Sequence, residues 1–372
     1  MSFLSTDAFS SSSASALAPY GWDDAWAAEF APYAAQGLLP GRVVRVDRGQ
    51  CDVVTPEGVV RADTAFVTPH DPLRVICTGD WAAVDPDGVG DPRYVRAYLP
   101  RRTAFARSTS SKRSEGQILA ANVDHAIIVV SLAVELDLGR IERFLALAWE
   151  SGAQPLVVLS KADLVPDPVG LSYLVEDVET VAPGVQVLPV SSHTGEGLDV
   201  LQAVAGGGTS VLLGVSGAGK STLANTLLGT DAMDVQATRD MDGKGRHTTT
   251  TRNLLALPGG GVLIDTPGLR GVGLWDAEAG VGQVFAEIED LAAECRFHDC
   301  AHESEPGCAV TAAIADGSLP ERRLDSYRKL IRENRRLVAK TDARVRAEML
   351  KNWKRVGAEG RAALEAKRGR LR

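Results

Sequence analysis

Gly214–Ser221 reads GVSGAGKS, with an apolar run, TSVLLGV, leading into it and a helical pattern, STLANTLL, leading out. Glycines here let backbone N–H groups converge on phosphate oxygens, and a helix starting at the lysine adds unpaired donors and a favourable dipole. The loop positions Gly214, Val215, Ser216, Gly217, Ala218 and Gly219 are therefore candidate phosphate contacts, followed by Lys220, Ser221 and Thr222. Lys220 is suited to bridging β- and γ-phosphates and Ser221 to ligating Mg²⁺. Further on, IDTPG (Ile264–Gly268) ends an apolar run. Asp265 is placed to hold Mg²⁺ through water, and the Gly268 N–H to meet a γ-phosphate. Between them lies GRHTTTT, Gly245–Thr251. Its threonines are candidates for closing over Mg²⁺, Thr249 first and Thr250 second; the alternative is a solvated polar loop.

A phosphate loop does not choose a base. SKAD, Ser160–Asp163, follows the apolar run PLVVLS and supplies a chooser. A carboxylate at Asp163 accepts from guanine N1–H and the exocyclic amine, which adenine cannot offer. Lys161 can lay its stem along the base. In VSSHTGEG, Val190–Gly197, Ser191 and Ser192 are placed to meet guanine O6 through backbone N–H groups.

A second chemistry is written as C-x₄-C-x-H-x₅-C: Cys295, Cys300, His302 and Cys308. Three thiolates and an imidazole suit tetrahedral zinc with no open position, a structural rather than catalytic site. His298 competes with His302 as the nitrogen ligand, and an iron–sulfur cluster is a lesser alternative. Cys51 and Cys77 stand apart and read as small buried residues.

These motifs need elements to hold them. Residues 118–285 alternate apolar strands with helical patterns, which predicts a parallel sheet covered on both faces. Residues 39–108 carry five short strand-like pieces broken by Gly, Asp and Pro, as in a small barrel of OB type; an SH3-like barrel stays open. Residues 1–38 read as a flexible Ser/Ala-rich leader with a short helix near Trp22–Ala35. The basic stretch Arg101–Arg113 reads either as a solvated connector or as an RNA contact, with the linker proper at 109–117. Residues 286–356 hold the metal ligands and a helix with an apolar stripe at Leu324, Tyr327, Leu330, Ile331 and Leu337; 357–372 is a basic tail.

With 372 residues, 45% hydrophobic and 24% charged, the chain has material for several cores. No run of about 18 apolar residues occurs, and the N-terminus lacks the layout of a secretory signal, so a cytoplasmic protein with no membrane contact is expected. The net charge of -8 hides an asymmetry: residues 321–372 carry 18 Lys/Arg against 7 Asp/Glu. A basic element can dock on phosphate while an acidic body does other work. No coiled-coil pattern is evident, so a monomer is expected.

In ordinary small GTPases the phosphate loop precedes the base-reading loops; here SKAD and VSSHTGEG come first. Strands adjacent in a parallel sheet need not be adjacent in sequence, so the same pocket forms. The chain resembles the circularly permuted GTPases, and among them the ribosome small subunit-dependent GTPase A family, also called the YjeQ family. SKAD, GVSGAGKST, GRHTTTT, DTPGLR and the Cys/His cluster carry the resemblance, over roughly Leu39–Trp353. It implies an OB barrel, a permuted GTPase domain and a zinc domain with His302 as ligand. It also implies GTP hydrolysis to GDP late in 30S subunit maturation, with 16S rRNA as partner. The family usually has Asn at Ser160 and Ala at Ser192. Serine, being shorter than Asn, is expected to lose a hydrogen bond to a neighbouring loop. The competing reading is a nucleotide-regulated RNA-binding module with negligible turnover. In Ras-like GTPases a glutamine just after DxxG orients water; here Leu269 stands there, and His247 is the nearest candidate to act with Lys220 and Thr249.

Overall fold

The computed structural model describes residues 16–67, 74–87, 92–108, 116–230, 253–265 and 277–341. Strands β1 (Leu39–Asp47), β2 (Gln50–Thr55), β3 (Gly58–Asp63), β4 (Trp81–Val84) and β5 (Arg93–Tyr98) close a barrel in the order β1-β2-β3-β5-β4. The β3–β5 pair is parallel and the others antiparallel, an OB-like arrangement. Val43, Cys51, Val53, Ala62 and Val95 fill its interior, so Cys51 is a core residue. Cys77 is also buried.

The helix expected near Trp22–Ala35 is present, and only the flexibility expected of residues 16–38 is corrected; residues 1–15 lie outside the described residues. Helix α1 (Asp24–Ala34) begins at Asp23, whose carboxylate caps the Trp26 N–H, and it lies on the barrel. Leu17, Trp26 and Phe30 are buried against Trp81. Trp22 meets Trp81 edge-on at 4.8 Å, and the Arg102 guanidinium lies 3.8 Å over Trp26. Trp26 and Phe30, four apart on the helix, and Trp22 just before its cap all pack toward Trp81, which holds this segment on the barrel. The connector differs too. β6 (Ala104–Ser108) pairs with β7 (Gly116–Ala121) as a two-stranded ribbon outside the barrel. Arg101 is bidentate to the buried Asp80, and Arg102 pairs with Asp23, so both charges are engaged within the protein. Residues 109–115 lie outside the described residues.

The second sheet has the order β10-β9-β8-β11-β13-β12, built from β8 (His125–Ser131), β9 (Gln154–Ser160), β10 (Val187–Val190), β11 (Thr209–Leu213), β12 (Leu254–Ala256) and β13 (Val262–Ile264). All pairs are parallel except β12–β13. Helices α2 (Leu138–Ser151), α3 (Pro168–Glu179), α4 (Leu198–Ala205) and α5 (Lys220–Leu228) cover it. Side chains alternate between two cores: Ile128, Val157 and Val211 face α2 and α3, while Ile127, Val158 and Leu212 face α4 and α5. Alternation over strands buried on both sides explains their unbroken apolar sequences.

Helices α6 (Glu278–Val284), α7 (Ala286–Ala293), α8 (Ala309–Ala315) and α9 (Glu321–Thr341) follow. Their core is not separate. Phe285, Ile288, Val310, Leu324 and Leu330 join the cluster that contains α2. Glu142 on α2 is fully buried and is paired by Arg323 at 2.7 Å and Arg322 at 3.1 Å.

The barrel is tied to the sheet by Arg42, which is 1% exposed. Its guanidinium donates to the Asn122 carbonyl and the Thr209 hydroxyl and lies 4.8 Å over Trp81. Burial lowers its pKa to about 10, against the opposing pull of Asp124 and Asp80. Gly79, at φ 96°, has room for no side chain: a Cβ would sit 2.1 Å from the Ala121 carbonyl oxygen.

Candidate nucleotide and metal sites

The phosphate loop, the SKAD loop and Asp265 all sit at the carboxyl ends of parallel strands, where loops of an open α/β sheet form a crevice. β11 feeds the loop directly into α5, whose first residue is Lys220. Gly214 is forced by packing: its φ is 143°, and a Cβ would meet the Val129 carbonyl oxygen of β8 at 2.4 Å. Gly217 and Gly219 are also left-handed, at φ 80° and 92°. The Lys220 ammonium donates to the Gly214 and Val215 carbonyls at 2.7 and 2.6 Å, which holds it inside the loop. Ser216, Gly217 and Thr222 are exposed, Ala218 is buried, and Val215 and Ser221 are half-buried.

The SKAD loop bonds to this loop directly. The Ser160 hydroxyl lies 2.7 Å from the Ala218 carbonyl oxygen and 3.2 Å from that of Val130, so its proton favours the phosphate loop. The expected loss of a bond at Ser160 is thus corrected. The backbones approach closely enough for serine to span the gap: a Cβ at Gly219 would lie 3.6 Å from its Oγ. Lys161, with left-handed φ 61°, reaches across to the Gly217 carbonyl at 3.2 Å. Ser160→Ala should weaken GTP binding, because it leaves the Ala218 carbonyl without its donor, at about 1–3 kcal/mol. Ser160→Asn should bring no gain at this crowded position. Titration calorimetry of both variants checks this, and tighter binding by the Asn variant would contradict the packing argument.

Ser191 has a different place from the one expected. Its N–H donates to the Glu196 carbonyl at 3.0 Å and so is committed within its own loop. Its hydroxyl accepts from the His193 and Thr194 amides at 3.1 Å each and donates to Asp163 Oδ1 at 2.6 Å. Ser191 therefore aims the carboxylate, and Ser192 beside it is half-buried. At the end of β13 the Asp265 N–H donates to the Asn253 carbonyl at 2.8 Å. His247, Thr249, Thr250, Gly268 and Leu269 lie outside the described residues.

The Cys/His spacing folds into one cluster. The ligand atoms of Cys295, Cys300, His302 and Cys308 lie within 4.8 Å of one another. Cys295 and Cys308 sulfurs are 3.8 Å apart, and His302 Nδ1 is 3.6 and 3.5 Å from them. A tetrahedron with Zn–S near 2.3 Å and Zn–N near 2.0–2.1 Å has edges of about 3.8 Å and about 3.6 Å, so the donor set fits. His302 belongs to the cluster, whereas His298 is exposed and outside it. His302 is held at left-handed φ 59°, and Arg328 of α9 donates to its carbonyl. The loop to Cys308 is fixed by Glu305, whose carboxylate gathers the amides of Ala301, Glu303 and Ser304 and whose pKa falls to about 2 as a result. Burial works against a Cys308 thiolate, but hydrogen bonds from Thr311 and His302 bring its pKa down to about 6.

Arg328, Ala218 and Asn253 were invisible as contributors in sequence. Each acts through contacts between distant segments, two of them through a backbone carbonyl, and no local pattern marks them.

Read across the sheet rather than along the chain, the base-reading strand, the phosphate-loop strand and the strand of Asp265 stand as they do in an ordinary GTPase. Only the chain ends have moved, and the fold is that of a circularly permuted P-loop GTPase. The family described as RsgA GTPase matches residues 98–275. The chain is 80% identical to the small ribosomal subunit biogenesis GTPase RsgA of Streptomyces coelicolor, over 99% of this chain and 100% of that one. It is 40% identical to the protein of that name from Methanosarcina acetivorans, over 84% of each chain. The crystal structure of YjeQ from Thermotoga maritima superposes with a TM-score of 0.59 at 27% identity, covering 80% of this chain and 98% of that one. This chain belongs to the RsgA family, and it is a GTPase. Among the described residues no helix is long and apolar enough to cross a membrane.

Proposed function

We propose that this chain hydrolyses GTP in small ribosomal subunit biogenesis and that binding the 30S subunit late in its maturation raises turnover. The observation that carries the reading is the direct bonding of the base-reading loop to the phosphate loop, with Asp163 aimed by Ser191 into the same crevice. Asp163 accepts from guanine N1–H and N2–H, Lys161 lies along the base and Ser192 meets O6. The phosphate loop and Lys220 hold the β- and γ-phosphates, Ser221 and Thr249 ligate Mg²⁺, Asp265 holds it through water, and the Gly268 N–H meets the γ-phosphate. The printed names of the relatives support the ribosomal part. The Cys/His cluster holds one structural zinc, and the protein acts as a cytoplasmic monomer. GTP turnover measured alone, with 30S and with 50S subunits tests this. Acceleration by 30S only is expected; GTP binding without turnover on either subunit would favour the regulated RNA-binding module.

Leu269 cannot position water, and we assign that role to His247, since an imidazole nitrogen can accept a hydrogen bond from water. His247→Ala should slow single-turnover hydrolysis on saturating 30S by about 100-fold, with GTP and 30S affinity retained. Full-rate hydrolysis would remove His247 from the mechanism.

The barrel, the zinc region and the C-terminal helix contact 16S rRNA. On α9, Arg322, Arg323 and Arg328 are occupied within the protein, whereas Arg335 and Arg336 are exposed. Deleting residues 321–372 would also remove Leu324 and Leu330 from the core, so point variants are the cleaner test. Neutralising Arg335 and Arg336 to Gln should weaken 30S binding and reduce the salt dependence of log K by about 0.7–0.9 per lost phosphate contact. An unchanged salt slope would take this face out of the interface.

A further inference from the structure

On the barrel, Ala83 pairs with Ala97 but Val84 pairs with Val95, so Arg96 is the extra residue of a β-bulge. Bulges re-aim a side chain out of the regular alternation. The Arg96 guanidinium lies 4.5 Å from the centroid of the Phe66 ring and 5.4 Å from that of Tyr94. The two rings meet edge-on at 5.1 Å. Arg96 Nε donates to Asp85 Oδ1 at 2.8 Å, which orients the guanidinium plane; among the described residues its Nη groups make no such bond.

Phe66 is 61% exposed. It is not on a loose loop. It sits in the 3-10 turn Ala65–Val67, closed by the Val67 N–H on the Thr64 carbonyl and by the Ala65 N–H on the Asp63 carboxylate, with Val67 buried in the barrel core. A phenyl ring kept in water forgoes the stabilisation that burial would give. Here a rigid turn, a bulge and an ion pair together hold it outward beneath a planar cation.

We propose that Phe66, Tyr94 and Arg96 form a stacking platform for an unpaired base of the small-subunit rRNA, with the Arg96 Nη groups donating to an adjoining phosphate. The proposal rests on the ribosomal reading above and assigns part of its interface. The surface favours RNA over a protein partner. An aromatic ring with a guanidinium against it matches the face of a nucleobase, and every base offers one. Because Asp85 offsets the charge on Arg96, the ring supplies affinity that does not depend on salt, while the Nη groups supply a small salt-dependent part.

The test uses the full chain bound to a non-hydrolysable GTP analogue. Binding to 30S subunits and to a short single-stranded oligouridylate is measured over a salt series for Phe66→Leu, Phe66→Trp and Arg96→Gln. Phe66→Leu keeps the apolar bulk and loses the ring. It should weaken both interactions on the order of fivefold or more, with the salt slope unchanged. Phe66→Trp should bind at least as tightly as the parent, and Arg96→Gln should weaken binding and lower the slope. An unchanged melting temperature in Phe66→Leu is expected, since the ring is exposed. Wild-type affinity in Phe66→Leu would overturn the proposal. So would weakened 30S binding with unchanged oligouridylate binding, which would assign the platform to a ribosomal protein. If the parent binds oligouridylate through Phe66 but not 30S, the platform stands and the ribosomal reading fails.

Discussion

Asp163→Asn should convert the protein from a reader of guanine into a reader of xanthine. In the parent, the Ser191 hydroxyl accepts from two amides and so has its proton directed at Asp163 Oδ1. That geometry also orients the substitute. The introduced amide will turn its oxygen to Ser191 and its NH₂ to the base. Guanine presents donors at N1 and N2, so donor then faces donor; xanthine presents a carbonyl at C2 and pairs with the amide. Hydrogen bonds to charged groups contribute about 1.5–3 kcal/mol each. Losing two of them weakens GTP by about 100-fold or more, with a comparable swing toward xanthosine triphosphate. Competition of GTP, XTP and ATP against a fluorescent guanine nucleotide measures it. Equal affinity of the parent for ATP and GTP would refute the assignment of Asp163.

Removing a metal ligand should have the largest effect on stability. Apparent binding energies of structural zinc reach about 10–16 kcal/mol in small domains, because site formation and folding are one event. Purified without chelator, the protein should contain one zinc per chain. Cys300→Ser should abolish that stoichiometry and make residues 290–320 sensitive to protease. The damage should extend along α9, because Arg328 bonds to the His302 carbonyl and Val310, Leu324 and Leu330 share a core with α2. Nucleotide affinity should change by less than about threefold, since the phosphate loop lies across the sheet against the other core. Stoichiometric zinc in Cys300→Ser, or none in the parent, would count against the site.

Much of the architecture was legible because it is local. A glycine loop between a strand and a helix needs no distant partner to be recognised, and neither does a Cys/His run that closes on itself within Cys295–Cys308. Apolar runs in the parallel sheet announced strands buried on both faces, as the alternation of Ile127 and Ile128 between two cores bears out. The helix near Trp22–Ala35 was legible, but its docking was not: Trp22, Trp26 and Phe30 pack the leader from residue 16 against the barrel.

By itself, then, the sequence determined the permuted GTPase class and the metal-ligand chemistry, because these depend on residue type at short spacing. Only the tertiary structure decided how the pieces engage. It settled the barrel type through strand order, gave the Ser160 hydroxyl the Ala218 carbonyl, and turned Ser191 toward Asp163. It also paired Arg101 with the buried Asp80 and Arg323 with the buried Glu142, engaging within the fold two cations that the sequence alone would count as free. The physical reason is the same throughout. A side chain's type sets what it can donate or accept, but which partner stands within about 3 Å of it is set by the packing of segments far apart in the chain.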